Sequence, residues 1–103
     1  MLCAVSRWSF KRLHLMAAAG AIALGVYLRI TWMEWMAVTF AIVSVIGAEA
    51  LNTAVERTVD LASPEWHETA GQAKDAAAAA VLIFSIGAAV VGALIFLPKL
   101  LAL

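Results

Sequence analysis

The sequence contains one cysteine, two prolines and no net charge at neutral pH. The single cysteine, Cys3, excludes a disulfide framework and a cysteine metal site within one chain. Seven basic residues balance seven acidic ones. No strongly basic surface is therefore expected, and with it no nucleic-acid partner. The sequence also lacks the glycine-rich phosphate loop of P-loop nucleotide-binding proteins.

Apolar residues make up 65% of the chain, whereas a soluble domain has about half. These residues are grouped in long runs, which favours membrane spans over a soluble core. The pattern predicts an all-α integral membrane protein in which residues 1–103 form one domain with three transmembrane helices. The spans are expected at about 14–31, 33–60 and 75–97, with a cytoplasmic loop at 61–74 that contains a short surface helix.

Local signals set the expected ends of these segments. Ser63 before Pro64 predicts the start of the surface helix. Asp75 is expected at the N-terminus of the third span, where it would complement the helix dipole, and Pro98 is expected to end that span. A further pair, Trp32 and Trp35, is typical of anchors at the membrane surface.

The basic residues predict the orientation of the chain. By the positive-inside tendency, the N-terminus and the middle loop lie in the cytoplasm and the C-terminus lies outside. The residues on the cytoplasmic side would be Arg7, Lys11, Arg12, Arg57 and Lys74, and those on the outer side Arg29 and Lys99.

Six of the seven acidic residues lie between Gly47 and Asp75. Polar residues at steps of three and four share one stripe of a helix; here they are Glu49, Asn52, Thr53, Glu56 and Asp60. Glu49 directly follows a membrane-like apolar run, where a carboxylate costs roughly 2.5–3.5 kcal/mol unless it is compensated. Asp60 is also three residues from Arg57, a spacing that allows an ion pair on one helix.

Carboxylates that face one way near a membrane surface repel each other and need a cation or a proton. Oxygen ligands with a neighbouring amide suit Mg²⁺, which usually keeps several waters and binds substrate phosphates. Lys74 adds a positive charge that could meet phosphate. The layout suits phosphorylation of a lipid hydroxyl, because phosphoryl transfer mainly needs positioning, a metal and a base.

The residues that carry this stripe resemble the prokaryotic diacylglycerol kinase family. The resemblance covers the chain from Arg12 onward and rests on two blocks, Glu49-x-x-Asn52-Thr53-Ala54-Val55-Glu56-x-x-Val59-Asp60 and Ala73-Lys74-Asp75. Three further features resemble the undecaprenol kinase branch more than the diacylglycerol branch: Arg12-Leu13-His14, Glu34-Trp35 and Ala78.

The resemblance implies a homotrimer of three-span subunits in the bacterial inner membrane, with active sites shared between neighbouring chains. It implies ATP-dependent, Mg²⁺-assisted phosphorylation of a membrane lipid alcohol, with undecaprenol favoured over diacylglycerol. Glu49 would be the catalytic base on the lipid hydroxyl, and Glu56 would hold the metal. The ATP-binding residues would be Asn52, Glu56, Glu65, His67, Lys74 and Asp75, and the lipid-binding residues Glu49, His14 and Ala78.

One position departs from the family pattern. Where the family has a glutamate that provides a second metal ligand, this chain has Trp8. An alternative interpretation is therefore an inactive, truncated homologue that acts as a membrane scaffold. A small ion-coupled transporter is a third interpretation, but it would usually need four spans and a glutamate near the middle of the bilayer.

Overall fold

The computed structural model describes the backbone of residues 2–103 and the side chains of residues 11–103. The chain forms three helices, α1 (Leu2–Leu28), α2 (Trp32–Ala62) and α3 (Glu68–Leu101). Both α2 and α3 are long and apolar enough to cross a bilayer. A helix satisfies its own backbone hydrogen bonds, which a membrane span requires. The prediction of an all-helical fold with membrane-capable helices is confirmed.

The chain reverses between α1 and α2 in a tight turn centred on Arg29. This residue has a φ of 52°, in the left-handed region. Its backbone N–H donates to Val26 O at 3.3 Å, and the N–H of Ile30 donates to Gly25 O at 3.2 Å. These two bonds form a Schellman motif that satisfies the last carbonyl groups of α1. The helix therefore ends at Leu28, three residues before the predicted end of the first span.

A capping box starts α2 immediately after this turn. The Thr31 hydroxyl accepts from the Glu34 backbone N–H at 3.2 Å, and the Glu34 carboxylate accepts from the Thr31 N–H at 2.9 Å. Two otherwise unsatisfied donors of the first turn are bonded in this way. Glu34 also pairs with Lys99 of α3 at 3.2 Å, which joins the first turn of α2 to the last turn of α3.

The largest buried apolar cluster lies at this same end of the molecule. It consists of Ile30, Val38, Ile95 and Phe96, which come from the turn, α2 and α3. Most large apolar side chains elsewhere in the described region are exposed. Such exposure is expected of a chain whose outer surface meets lipid or a second copy, because the hydrophobic effect then does not require burial within the chain.

Helices α2 and α3 pack antiparallel and make the most extensive interhelical contact of the described residues. With 31 residues, α2 is about 46 Å long at 1.5 Å per residue. The hydrocarbon core of a bilayer is only about 30 Å thick. Helix α2 is therefore longer than a span needs, and its charged C-terminal part, which carries Glu56 and Asp60, is the part least suited to the apolar layer.

The predicted surface helix between α2 and α3 is absent, and that prediction was wrong. Residues 63–67 form a short non-helical connection. Ser63 ends α2 instead of starting a helix, because its N–H donates to Val59 O at 2.8 Å and its hydroxyl donates to Glu65 O at 3.1 Å. The true N-cap of α3 is His67, whose Nδ1 accepts from the Thr69 N–H at 3.1 Å.

Two predicted ends of the third helix also differ from the structure. Asp75 lies two turns inside α3, and Glu68 takes the acidic position of its first turn. Alanine, glutamine and lysine between these residues all favour helix, so the chain coils well before the apolar run. At the other end, Pro98 lies inside α3, which continues to Leu101. The Ala102 N–H donates to Pro98 O at 3.1 Å and closes the last turn.

Candidate functional site

Glu49 lies where all three helices meet. Its side chain is only 13% exposed, and its carboxylate forms an ion-pair contact with Nδ1 of His14, which is 18% exposed and belongs to α1. A carboxylate in such a position needs a partner, because burial without one is costly. The structure therefore brings together two of the three residues predicted to contact the lipid substrate, Glu49 and His14.

Ser85 of α3 completes this contact from the opposite side of the imidazole ring. Its hydroxyl oxygen lies 3.4 Å from Nε2 of His14. The same hydroxyl donates to Val81 O, one turn earlier in α3, at 2.7 Å. Sequence reasoning missed Ser85, although a signal was present: between residues 76 and 97 it is the one side chain able to form a conventional hydrogen bond.

A cavity of about 210 Å³ extends from this meeting point along the three helices. His14 and Ser85 provide its polar lining, and the remaining lining is apolar, with Ala21, Val45 and Phe96 contributed by α1, α2 and α3. Binding sites for small molecules are commonly apolar clefts with a few placed polar groups. A lipid alcohol has the matching division between hydroxyl and hydrocarbon.

One and two turns beyond Glu49, the stripe on α2 continues with Asn52 and Glu56. Asn52 Nδ2 donates to Glu56 Oε1 at 3.4 Å. Asn52 Oδ1 is buried and accepts no hydrogen bond from the described residues. Thr53 has a different role, since its hydroxyl donates to the Glu49 backbone carbonyl at 3.1 Å. The stripe thus offers an amide oxygen and a carboxylate side by side.

This pair of oxygen donors fits Mg²⁺ in part. An amide oxygen without a donor and an adjacent carboxylate are ligands that Mg²⁺ accepts. Over the described residues, three or more His, Cys, Asp or Glu side chains do not converge into a metal cage. A site with few protein ligands suits an ion that keeps its waters and binds phosphate oxygens. The expected loss of a second metal ligand concerns Trp8, whose side chain lies outside the described ones.

Asp60 and Lys74 form an ion pair that connects the C-terminal end of α2 to α3. The sequence spacing suggested Arg57 as a partner of Asp60, whereas in the structure Asp60 pairs with Lys74. The two side chains are 62% and 39% exposed, so the pair contributes only about 0–1 kcal/mol to stability. Lys74 is therefore held close to the acidic stripe, where it could contact a phosphate.

The other predicted nucleotide and lipid residues are not gathered around Glu49. Glu65 and His67 are exposed in the connection between α2 and α3, and Asp75 is exposed on α3. Ala78 is also exposed, about two turns before Ser85 on α3. Within one chain these residues form an open surface next to the acidic stripe and not a closed pocket.

The chain is similar to proteins of known function. The model of the prokaryotic diacylglycerol kinase family matches residues 2–96. The chain is 42% identical over 87 residues to the undecaprenol kinase of Bacillus subtilis, covering 84% of this chain and 71% of that protein.

Two diacylglycerol kinases are also similar. The Synechocystis protein is 46% identical over 69 residues, covering 66% of this chain and 38% of that protein. The protein from Escherichia coli K12 is 39% identical over 64 residues, covering 57% and 52%. The match thus spans about half or less of each diacylglycerol kinase. No solved structure matches the chain.

Proposed function

Since the chain belongs to the prokaryotic diacylglycerol kinase family, whose members are membrane lipid kinases, we propose that it transfers the γ-phosphate of ATP to undecaprenol. The similarity to an undecaprenol kinase extends over more of the chain than the similarity to the diacylglycerol kinases. Arg12-Leu13-His14 and Ala78 support the same choice. The observation that carries the proposal is the contact of the largely buried Glu49 carboxylate with His14, which lines the polar end of an apolar cavity.

Glu49 would act as the general base. It takes the proton of the lipid hydroxyl while the hydroxyl oxygen forms a bond to the γ-phosphorus. The bond between that phosphorus and the β,γ-bridging oxygen breaks, and ADP leaves with the electron pair. Because such a transition state needs little covalent help, positioning and charge stabilisation account for most of the catalysis. The cavity would hold the hydrocarbon chain with the hydroxyl at its polar end, where His14 contacts Glu49.

The nucleotide would bind along the polar stripe on the cytoplasmic side of Glu49. Mg²⁺, when bound, would neutralise charge on the phosphates, and Glu56 with Asn52 Oδ1 would hold it. Lys74 would contact a phosphate. The exposed residues Glu65, His67 and Asp75 would contact the rest of ATP.

Assembly as a homotrimer with shared sites is part of the proposal. Supporting it, the residues proposed to bind ATP lie on an open surface of one chain, which a neighbouring chain could close. The numerous exposed apolar side chains of α1, α2 and α3 also suit packing against copies of the same helices. Each subunit would span the bacterial inner membrane three times, with the N-terminus in the cytoplasm and the C-terminus outside.

The decisive experiment measures lipid phosphate formed from labelled ATP by the purified protein in micelles. Undecaprenol and diacylglycerol are offered separately. We expect Glu49→Gln to lower kcat by at least about 100-fold, the size of effect typical of general bases, while the protein still assembles. Glu34→Gln is the matched control, because it neutralises a carboxylate at the opposite end of α2 and keeps its capping box.

The outcomes separate the alternatives. Full activity of Glu49→Gln would show that another group is the base. Wild-type protein that phosphorylates neither lipid, combined with activity in a Trp8→Glu variant, would instead support the inactive homologue. A clear preference for diacylglycerol would reverse the proposed substrate but leave the kinase mechanism in place.

A further inference from the structure

Ser85 is a polar residue that the phosphoryl-transfer mechanism does not use, although it lies next to the proposed base. It belongs to α3, far from the acidic stripe in sequence, and reaches Glu49 only through His14. Its helix is otherwise apolar in this region, so a hydroxyl here is unexpected on packing grounds alone. The question is what the serine does to the imidazole ring that it contacts.

The two hydrogen-bonding contacts of the Ser85 hydroxyl determine where it donates and where it accepts. A serine hydroxyl has one hydrogen to donate and two lone pairs that accept. The hydrogen is directed to Val81 O at 2.7 Å, a bond between serine and the preceding turn that is common in helices. Toward Nε2 of His14, at 3.4 Å, the oxygen can therefore act only as an acceptor. The ring must then carry a proton on Nε2.

This assignment has a consequence for the other ring nitrogen. A neutral imidazole that carries its proton on Nε2 presents only a lone pair at Nδ1, and an ionised carboxylate is also only an acceptor. The contact between His14 Nδ1 and Glu49 therefore needs one additional proton. A base must keep its carboxylate form, so that proton belongs to the ring, which donates from both nitrogens.

From this geometry we infer that Ser85 is a positioning residue for the base. Its oxygen holds the His14 ring with Nε2–H toward α3 and Nδ1–H toward Glu49. The ring in turn orients the Glu49 carboxylate next to the polar end of the cavity, which His14 and Ser85 line. The inference rests on the proposed kinase function, since it assigns Ser85 a part in the same reaction. Without the serine oxygen, the Nε2 proton would face the apolar lining without an acceptor, so the ring would lose it and donate only from Nδ1 toward Glu49.

The kinetic test compares Ser85→Ala with Ser85→Thr and with a control. We expect Ser85→Ala to lower kcat about tenfold, the order of one neutral hydrogen bond, and to leave KM for ATP and lipid within about twofold. Threonine keeps the hydroxyl and its bond to the preceding turn, so Ser85→Thr should restore most of kcat. Ser44→Ala, which removes another half-buried hydroxyl from α2, should leave kcat unchanged.

A spectroscopic test does not depend on activity. The chain has only two histidines, so ¹⁵N-histidine labelling gives two pairs of ring-nitrogen signals, one pair for each histidine. A His67→Asn variant identifies the signal of His14, because asparagine retains the N-cap of α3. We expect Nε2 of His14 to be protonated in the wild-type protein and to lose that proton in Ser85→Ala.

Each result bears on one claim. A bare Nε2 in the wild-type protein would overturn the inference, as would a Ser85→Ala variant with wild-type kcat or a Ser85→Thr variant as slow as Ser85→Ala. If the wild-type protein phosphorylates no lipid, the proposed function fails. The ring signals would still show whether Ser85 holds His14 as the geometry indicates.

Discussion

Trp35 of α2 lies directly against Gly25 of α1. A Cβ atom added at Gly25 would come within 2.8 Å of Cη2 and 3.1 Å of Cζ2 of the Trp35 ring. Trp35 is therefore a packing residue at the α1–α2 contact, whereas Trp32 is 86% exposed. The prediction that both tryptophans serve as surface anchors is incomplete, because the pattern of two tryptophans around a glutamate carries no information about which ring faces α1.

We predict that Gly25→Ala lowers the free energy of unfolding by about 1–3 kcal/mol, the usual cost of overpacking. The measurement is unfolding of the protein in detergent micelles. The control is Gly20→Ala on the same helix, where an added Cβ meets nothing within 4 Å and the better helix propensity of alanine should be neutral or favourable.

A second variant tests whether the contact between Gly25 and Trp35 is the cause of the lost stability. Combining Gly25→Ala with Trp35→Phe shortens the ring that the new methyl group would meet. The double variant should lose less free energy of unfolding than the sum of the losses in the two single variants. Additive losses would show that the close approach of Gly25 and Trp35 is not the cause.

Metal binding is predicted to depend on Glu56. Glu56→Gln replaces the carboxylate by an amide and removes the charge beside Asn52. We expect the Mg²⁺ concentration for half-maximal activity to rise at least about tenfold, because even changes to groups that only support metal ligands typically weaken metal binding by this much. Thr53→Val is the matched control, because the Thr53 hydroxyl is bonded to its own helix. An unchanged Mg²⁺ requirement in Glu56→Gln would remove Glu56 from the metal site.

His67 has two separable roles, as the N-cap of α3 and as a proposed ATP contact. His67→Asn keeps a side chain that caps helices well, and His67→Ala does not. Only the alanine variant should lose stability, by about 0.5–2 kcal/mol. Both variants should raise KM for ATP if the imidazole contacts the nucleotide. A normal KM for ATP in His67→Asn would leave His67 with the capping role alone.

The helical phase of α2 was predictable because spacing alone places Glu49, Asn52 and Glu56 on one stripe. The partner of Glu49 was only half predictable. His14 was assigned to the lipid through the family resemblance, and Ser85 was not considered. Both contacts join residues that are at least 35 positions apart, and no local pattern encodes such a distance.

The connection between α2 and α3 was predicted incorrectly for a local reason. A serine before a proline is a common start of a helix, but here Ser63 bonds backward to Val59 and so ends α2. His67 then serves as the cap through Nδ1, and histidine is not among the residues usually preferred there. Ser63 and His67 were both possible N-caps of the helix that follows, and the hydrogen bond from Ser63 to Val59 leaves His67 in that role.

One ion pair joins α2 to α3 at each end of the α2–α3 hairpin. Glu34 pairs with Lys99 at one end, and Asp60 pairs with Lys74 at the other. Helix α1 packs less extensively on this hairpin within the described residues, yet it supplies the ring that covers Glu49. Access to that carboxylate therefore requires displacement of α1 or of its His14 side chain, and not separation of α2 from α3.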